Sequence, residues 1–204
     1  MDKKTANILK KAKKIKMLIT DVDGVLTDAT MNFFSTPAGK IAEVKKFCAY
    51  DGIGFILLRD FGFKTGIITG GNAPATEHRA ETLGLDFLYY NYLDKLPALK
   101  DLMARCNLKA EEIAFIGDDL IDMPALKYVG LACAVNNAVP EVKSAADYIT
   151  QADGGKGAFR EVAELVLKMQ GFWPEALKKS EEGSIGRSPK RPLVVIDFKK
   201  QNQK

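Results

Sequence analysis

The sequence predicts an α/β domain: a doubly wound, Rossmann-like parallel sheet carrying a small β-hairpin insertion and no cap domain. Three observations predict it. Short apolar runs recur at Met17-Leu18-Ile19, Thr65–Thr69, Phe87–Tyr89, Ile113–Ile116 and Leu131–Val135. The stretches between them have helical periodicity, and strands that alternate with helices pair in parallel. One segment breaks the alternation: Ala29 to Phe47 reads as Met31-Asn32-Phe33-Phe34, a turn at Pro37-Ala38-Gly39, and a second run from Ile41. That is the pattern of a hairpin, too short to cover a substrate, so the site is either open or closed by another subunit.

In order along the chain, Ile8, Ala12 and Ile15 fall at helical spacing and predict a helix from about Lys3 to Lys14. It feeds the first buried strand, which ends at Thr20-Asp21. The alternation then continues to about residue 170, the expected limit of the domain (1–170). From Gly171 the composition shifts: Trp173-Pro174 is expected to end the last helix, and Glu181–Gly186 is polar and glycine-rich, so 171–204 reads as a C-terminal tail. Within it Leu193–Ile196 follows Pro189 and Pro192 and reads either as a strand or as an ordered end.

Composition narrows the class. At 204 residues the chain suits one folded unit, and 47% hydrophobic residues with 11 Phe and 6 Tyr supply a sizeable core. The net charge is +4, with lysines concentrated at the ends: Lys3, Lys4, Lys10, Lys11, Lys13, Lys14 and Lys16, then Lys190, Lys199, Lys200 and Lys204. They follow a helical pattern without interleaved aromatics, which points to a solvated face, not to nucleic acid or a membrane surface. Cys48, Cys106 and Cys133 show no CxxC spacing, so neither a disulfide framework nor a zinc site is expected. No apolar run reaches the ~18 residues of a membrane span and the start lacks a secretion signal. A soluble cytoplasmic protein is expected.

In a doubly wound sheet ligands bind outside the carboxyl ends of the strands, so the residues after each apolar run carry the chemistry. Asp21-Val22-Asp23-Gly24 ends the first strand. If the chain turns at Asp23-Gly24, both carboxylates face one site, one to attack phosphorus and the other to handle protons; alone, the motif is equally a turn with an Asp capping backbone amides. Gly117-Asp118-Asp119-Leu120-Ile121-Asp122 adds three more acids after a second strand. A helix cap explains one of them, whereas clustered carboxylates from different loops suit Mg2+, a hard cation that takes oxygen ligands. Thr69-Gly70 and Lys95 complete the edge. Asp51-Gly52-Ile53-Gly54 opens a helix, either as a capped start or with direct contact to an anion. His78, the sole histidine, lies on a polar helical stretch and reads as a surface residue.

Taken together, DVDGVLTD, ITG, Lys95 and GDDLID resemble the haloacid dehalogenase superfamily of phosphatases. DGIG at 51–54, DKLPAL at 94–99 and GGKGAFRE at 154–161 resemble its capless branch, which includes 3-deoxy-D-manno-octulosonate 8-phosphate phosphatase, and the resemblance runs from about Lys11 to Arg187. It implies that Asp21 is the nucleophile and that Asp23 is the acid and base. It implies Mg2+ held by Asp21, the main-chain carbonyl of Asp23 and Asp118, with Asp119 and Asp122 behind them. Thr69 and the Gly70 amide would bind phosphate oxygens, and Lys95 would neutralise charge. The branch usually has Arg directly after ITG, where this chain has Gly71 and Asn72. The substrate contacts expected are therefore Asp51, Gly52, Asn72 and Arg79, with Arg160 or Arg187 as further partners for a substrate acid. The resemblance also implies a homotetramer whose hairpins meet and whose neighbours close the sites.

The function expected is hydrolysis of a small sugar-acid phosphate, 3-deoxy-D-manno-octulosonate 8-phosphate or a related nonulosonate 9-phosphate. The alternative is a catalytically weak module of the same fold that serves oligomerisation. A phosphomutase or phosphonate hydrolase would need a cap that the chain has no room for.

Overall fold

The computed structural model describes residues 3–201, so Lys204 of the basic tail lies outside the described residues. Helix α1 (Lys3–Ala12) leads into strand β1 (Met17–Thr20), all four of whose residues are buried. A short antiparallel hairpin follows, β2 (Asn32–Ser35) with β3 (Ile41–Val44), pairing Phe33 with Glu43. The chain then alternates through α2 (Ala49–Asp60), β4 (Lys64–Ile68), α3 (Pro74–Leu83), β5 (Phe87–Tyr90), α4 (Leu96–Cys106) and β6 (Ile113–Gly117). It continues through α5 (Met123–Leu126), β7 (Leu131–Ala134), α6 (Pro140–Ala145), β8 (Tyr148–Ile149), α7 (Ala158–Met169), α8 (Trp173–Glu181), β9 (Val194–Asp197) and α9 (Phe198–Gln201).

Seven strands form one sheet in the order β8-β7-β6-β1-β4-β5-β9, every pair parallel. β1, β5, β6 and β7 are buried along their whole length, as strands covered by helices on both faces must be. The chain runs outward from β1 through β4 and β5, then crosses to β6 and runs outward the other way. This reversal beside β1 is the switch point at which such sheets bind ligands. Thr20 is level with Ile67 of β4 and Ile116 of β6, so Asp21, Thr69 and Asp118 leave the sheet at one edge.

One feature departs from expectation, and one open alternative is decided. Trp173-Pro174 does not end a helix; it begins α8, with proline in the first turn, where its missing N–H has no intrahelical acceptor to lose. The preceding helix has already stopped at Met169, before a left-handed turn at Gly171 (φ 78°). Residues 194–197 form strand β9 on the outer edge of β5, Val194 opposite Phe87. The segment that carries it is tied to the opposite end of the sheet: Asp60 accepts the amides of Gly186 (2.6 Å) and Ser188 (3.3 Å), and Arg191 Nη2 donates to Asp86 (3.0 Å). Among the described residues the hairpin is the one insertion into the alternation, and no cap domain is present.

Candidate active site

The β1 strand delivers Asp21 into the ladder, where its amide donates to the Ile116 carbonyl at 3.1 Å. The chain then closes a tight turn in which the amides of Val25, Leu26 and Thr27 all point at the Val22 carbonyl, at 3.3, 2.9 and 3.0 Å. Gly24 makes that turn with φ 96°, and a Cβ there would lie 2.0 Å from Asp118 Oδ2. Any side chain at residue 24 would therefore strain the backbone and displace a carboxylate. The turn is supported from behind by the loop before α7: the Gly155 amide donates to the Val25 carbonyl (2.9 Å), and a Cβ on Gly154 would overlap the Gly24 carbonyl.

From β6 the chain enters a short 3-10 turn, Leu120–Asp122. The turn brings Asp122 back so that its Oδ2 accepts the amides of Asp118 (2.8 Å) and Asp119 (3.3 Å), while Asp119 itself caps the turn through the Leu120 amide (2.7 Å). Asp119 is thereby exposed at the surface, and Asp122 is fully buried. Lys95, just before α4, is fully buried too; its ammonium pairs with Asp21 at 2.9 Å and donates to Asp122.

Oxygen atoms of Asp21, Asp118 and Asp122 all lie within 4.8 Å of one another. One lysine faces three carboxylates, and Asp118 Oδ1 is buried with no hydrogen-bond partner. The charge imbalance appears in the proton affinities. Burial, reinforced by Asp21 and Asp122, pushes Asp118 up to about 8. Burial raises Asp21 to about 6 despite the opposing pull of Lys95. Burial works against the charge on Lys95, but Asp21 and Asp122 outweigh it and hold the ammonium above the usual lysine range. Three hard oxygen donors, an orphaned carboxylate oxygen and a charge deficit fit a divalent cation of the Mg2+ type. Asp122 belongs to the group whose atoms meet there as well as to the layer behind it.

Asp23 faces the β4 loop. Its Oδ2 lies 3.6 Å from where a Cβ on Gly71 would be, and Thr69 Oγ1 lies 3.7 Å from the same point. Thr69 is buried, and its hydroxyl accepts the Gly71 amide at 3.2 Å, which tightens the loop around Gly70. Asn72 is exposed at the rim. The other expected substrate contacts gather elsewhere. Asp51 accepts the Arg160 amide (2.9 Å) at the start of α7, and Arg79 Nη2 reaches the Cys48 carbonyl (3.4 Å). With Gly52, Leu26 and Phe47 they line a small cavity that none of Asp21, Asp23, Lys95 or Asp118 borders. Asp51-Gly52-Ile53-Gly54 thus holds α2 against α7, where Phe55 and Phe159 stack 3.8 Å apart. His78 is exposed.

Sequence reasoning passed over one residue, Lys45. It follows β3 and its ammonium lies 2.5 Å from Asp23 Oδ1 and 2.8 Å from Glu43 Oε1. Burial opposes its charge, but the two carboxylates more than compensate and hold it above the ordinary lysine range. The available signal was the opposite-charge pair Glu43 and Lys45, two residues apart and so on one face of a strand.

Comparison with known proteins follows the same lines. Residues 62–160 match the haloacid dehalogenase-like hydrolase family. The 3-deoxy-D-manno-octulosonate 8-phosphate phosphatase of Escherichia coli is 40% identical over 176 residues, 86% of this chain and 92% of that protein. The Moraxella catarrhalis phosphatase of the same name, solved with magnesium ion, phosphate ion and KDO, superposes with TM-score 0.80 at 36% identity, covering 85% of this chain and 97% of that one. A cobalt-bound Haemophilus influenzae phosphatase gives TM-score 0.74 at 38% identity, covering 79% and 92%.

Proposed function

The chain belongs to the haloacid dehalogenase-like hydrolases, and from that premise we propose that it is a Mg2+-dependent phosphatase of a small sugar-acid phosphate. The substrate is 3-deoxy-D-manno-octulosonate 8-phosphate or a related nonulosonate 9-phosphate, and the enzyme is cytoplasmic. One observation carries the reading: a buried carboxylate, Asp21, pairs with a buried lysine at 2.9 Å beside Asp118, whose Oδ1 is buried without a hydrogen-bond partner, a charge arrangement that suits a cation and a phosphate.

Asp21 attacks phosphorus while Asp23 passes a proton to the departing sugar oxygen; Asp23 then takes a proton from water as water releases phosphate from Asp21. Lys95 holds the Asp21 carboxylate in place and offsets the charge of the phosphoryl group. The Thr69 hydroxyl and Gly70 amide bind its oxygens. Asp21, the Asp23 carbonyl and Asp118 would hold Mg2+, with Asp122 and Asp119 behind them. When bound, the ion neutralises phosphate charge and orients the ester. Asn72, exposed beside the β4 loop, is the proposed direct substrate contact, while Arg79, Asp51 and Gly52 would act from the α2 side through the cavity they share.

The exposed Met31, Phe33, Phe34 and Ile41 give the hairpin an apolar surface that suits the meeting of four copies, so the proposed assembly is a homotetramer. A monomer by light scattering removes that part. The function is tested by a phosphate-release screen over sugar phosphates with Mg2+: wild-type activity on a sugar-acid phosphate is expected, with Asp21→Asn silent. Turnover that survives in Asp21→Asn contradicts it.

A further inference from the structure

The inserted hairpin ends by placing a cation on the acid-base carboxylate, not merely a surface on the outside of the molecule. The side chain of Lys45 is only 6% exposed, although the neighbouring Val44 points outward and Asp23 itself is 35% exposed. Lys45 reaches Asp23 Oδ1 at 2.5 Å, and Thr27 Oγ1 lies 3.5 Å from the same oxygen. Glu43 anchors the ammonium from behind at 2.8 Å. The second oxygen, Oδ2, faces the space beside Gly71, which itself adds no side chain there, with Thr69 Oγ1 close to the same point.

The ammonium and the Thr27 hydroxyl take up Oδ1, which leaves Oδ2 as the oxygen open to an incoming group. We propose that Lys45 is a positioning residue for Asp23: it fixes Oδ1 and turns Oδ2 toward the leaving group. The inference rests on the phosphatase reading of the site. In the first half-reaction the bond from Asp21 to phosphorus forms, the bond from phosphorus to the sugar oxygen breaks, and the Oδ2 proton goes to that oxygen. In the second, Oδ2 takes a proton from water as the water oxygen bonds to phosphorus and Asp21 departs.

The role has a signature that a structural contact lacks. An alkyl phosphate needs a proton on its leaving oxygen, whereas 4-nitrophenyl phosphate expels a stable phenolate without one. The parameter kcat/KM reports only the steps through loss of the leaving group. Lys45→Met is expected to lower kcat/KM on 3-deoxy-D-manno-octulosonate 8-phosphate by about 10- to 100-fold, the range of general acid assistance, and on 4-nitrophenyl phosphate by less than about 3-fold. Lys45→Arg, which keeps the cation, should recover most of the loss and guards against a folding defect. Equal losses on both esters, or none on either, overturn the proposal. Asp21→Asn separates the two levels: if it retains activity, or if wild type releases no phosphate from either ester, the phosphatase reading fails and the role of Lys45 fails with it.

Discussion

Asp86, buried, and Asp118, half-buried, are acids at opposite ends of the same sheet, and the fold treats them in opposite ways. Asp86, just before β5, accepts the Thr65 amide at 2.8 Å and pairs with the Arg191 guanidinium at 2.5 Å. Both of its oxygens find partners within the chain, although burial still raises its proton affinity, and the pair pins the C-terminal segment. Asp118, just after β6, has a buried oxygen with no partner and two further carboxylates beside it. A structural acid is partnered where it stands; the proposed role of the Asp118 site, to take up a cation and a phosphate, accords with a site held short of positive charge.

The largest effect that would sharpen this contrast is on catalysis. Asp118→Asn should lower Mg2+-dependent phosphate release by about three orders of magnitude or more, while raising the melting temperature of the metal-free protein, because a repulsive buried charge is removed. A variant that loses stability and keeps its activity would make Asp118 another Asp86. The intermediate effect is on stability alone. Asp86→Ala should destabilise by about 1–3 kcal/mol, since it strips the partner from the Thr65 amide and from a partly exposed arginine. Denaturant melts check the loss, and kcat per folded molecule should be unchanged.

The smallest effect is a pH dependence. Asp118 is raised to about 8 and Asp21 to about 6, both above the ~3.9 of an unfolded aspartate. Between those values the folded, metal-free protein holds protons that the unfolded chain has released. Stability from this source is therefore fully present below pH ~4 and is lost as pH rises through about 6 and then about 8. In EDTA the melting-temperature gap between Asp118→Asn and wild type should widen from pH 5 to pH 8. A gap that stays constant would break the assignment.

Most of the candidate site was readable because it needs only local facts: an apolar run marks a strand, and the residues after it emerge at the end where such sheets bind ligands. Asp21, Thr69 and Asp118 were legible on that ground. Which of the acids in GDDLID turns inward was not, since it depends on a 3-10 turn that folds Asp122 under the amides of Asp118 and Asp119. Lys45 escaped for a larger reason: the contact spans 22 residues and exists only because the hairpin folds back over the Asp23 turn. The Trp173-Pro174 signal was ambiguous in itself, since proline both stops helices and begins them. The place of β9 was equally nonlocal, set by its register against β5.

The most direct measurement is an anomalous difference map from crystals soaked in Mn2+, a scatterer that takes the same oxygen donors. The account predicts a single strong peak between the Asp21 and Asp118 carboxylates in wild type, absent from Asp118→Asn. A peak elsewhere, or one that persists unchanged in the variant, would contradict it.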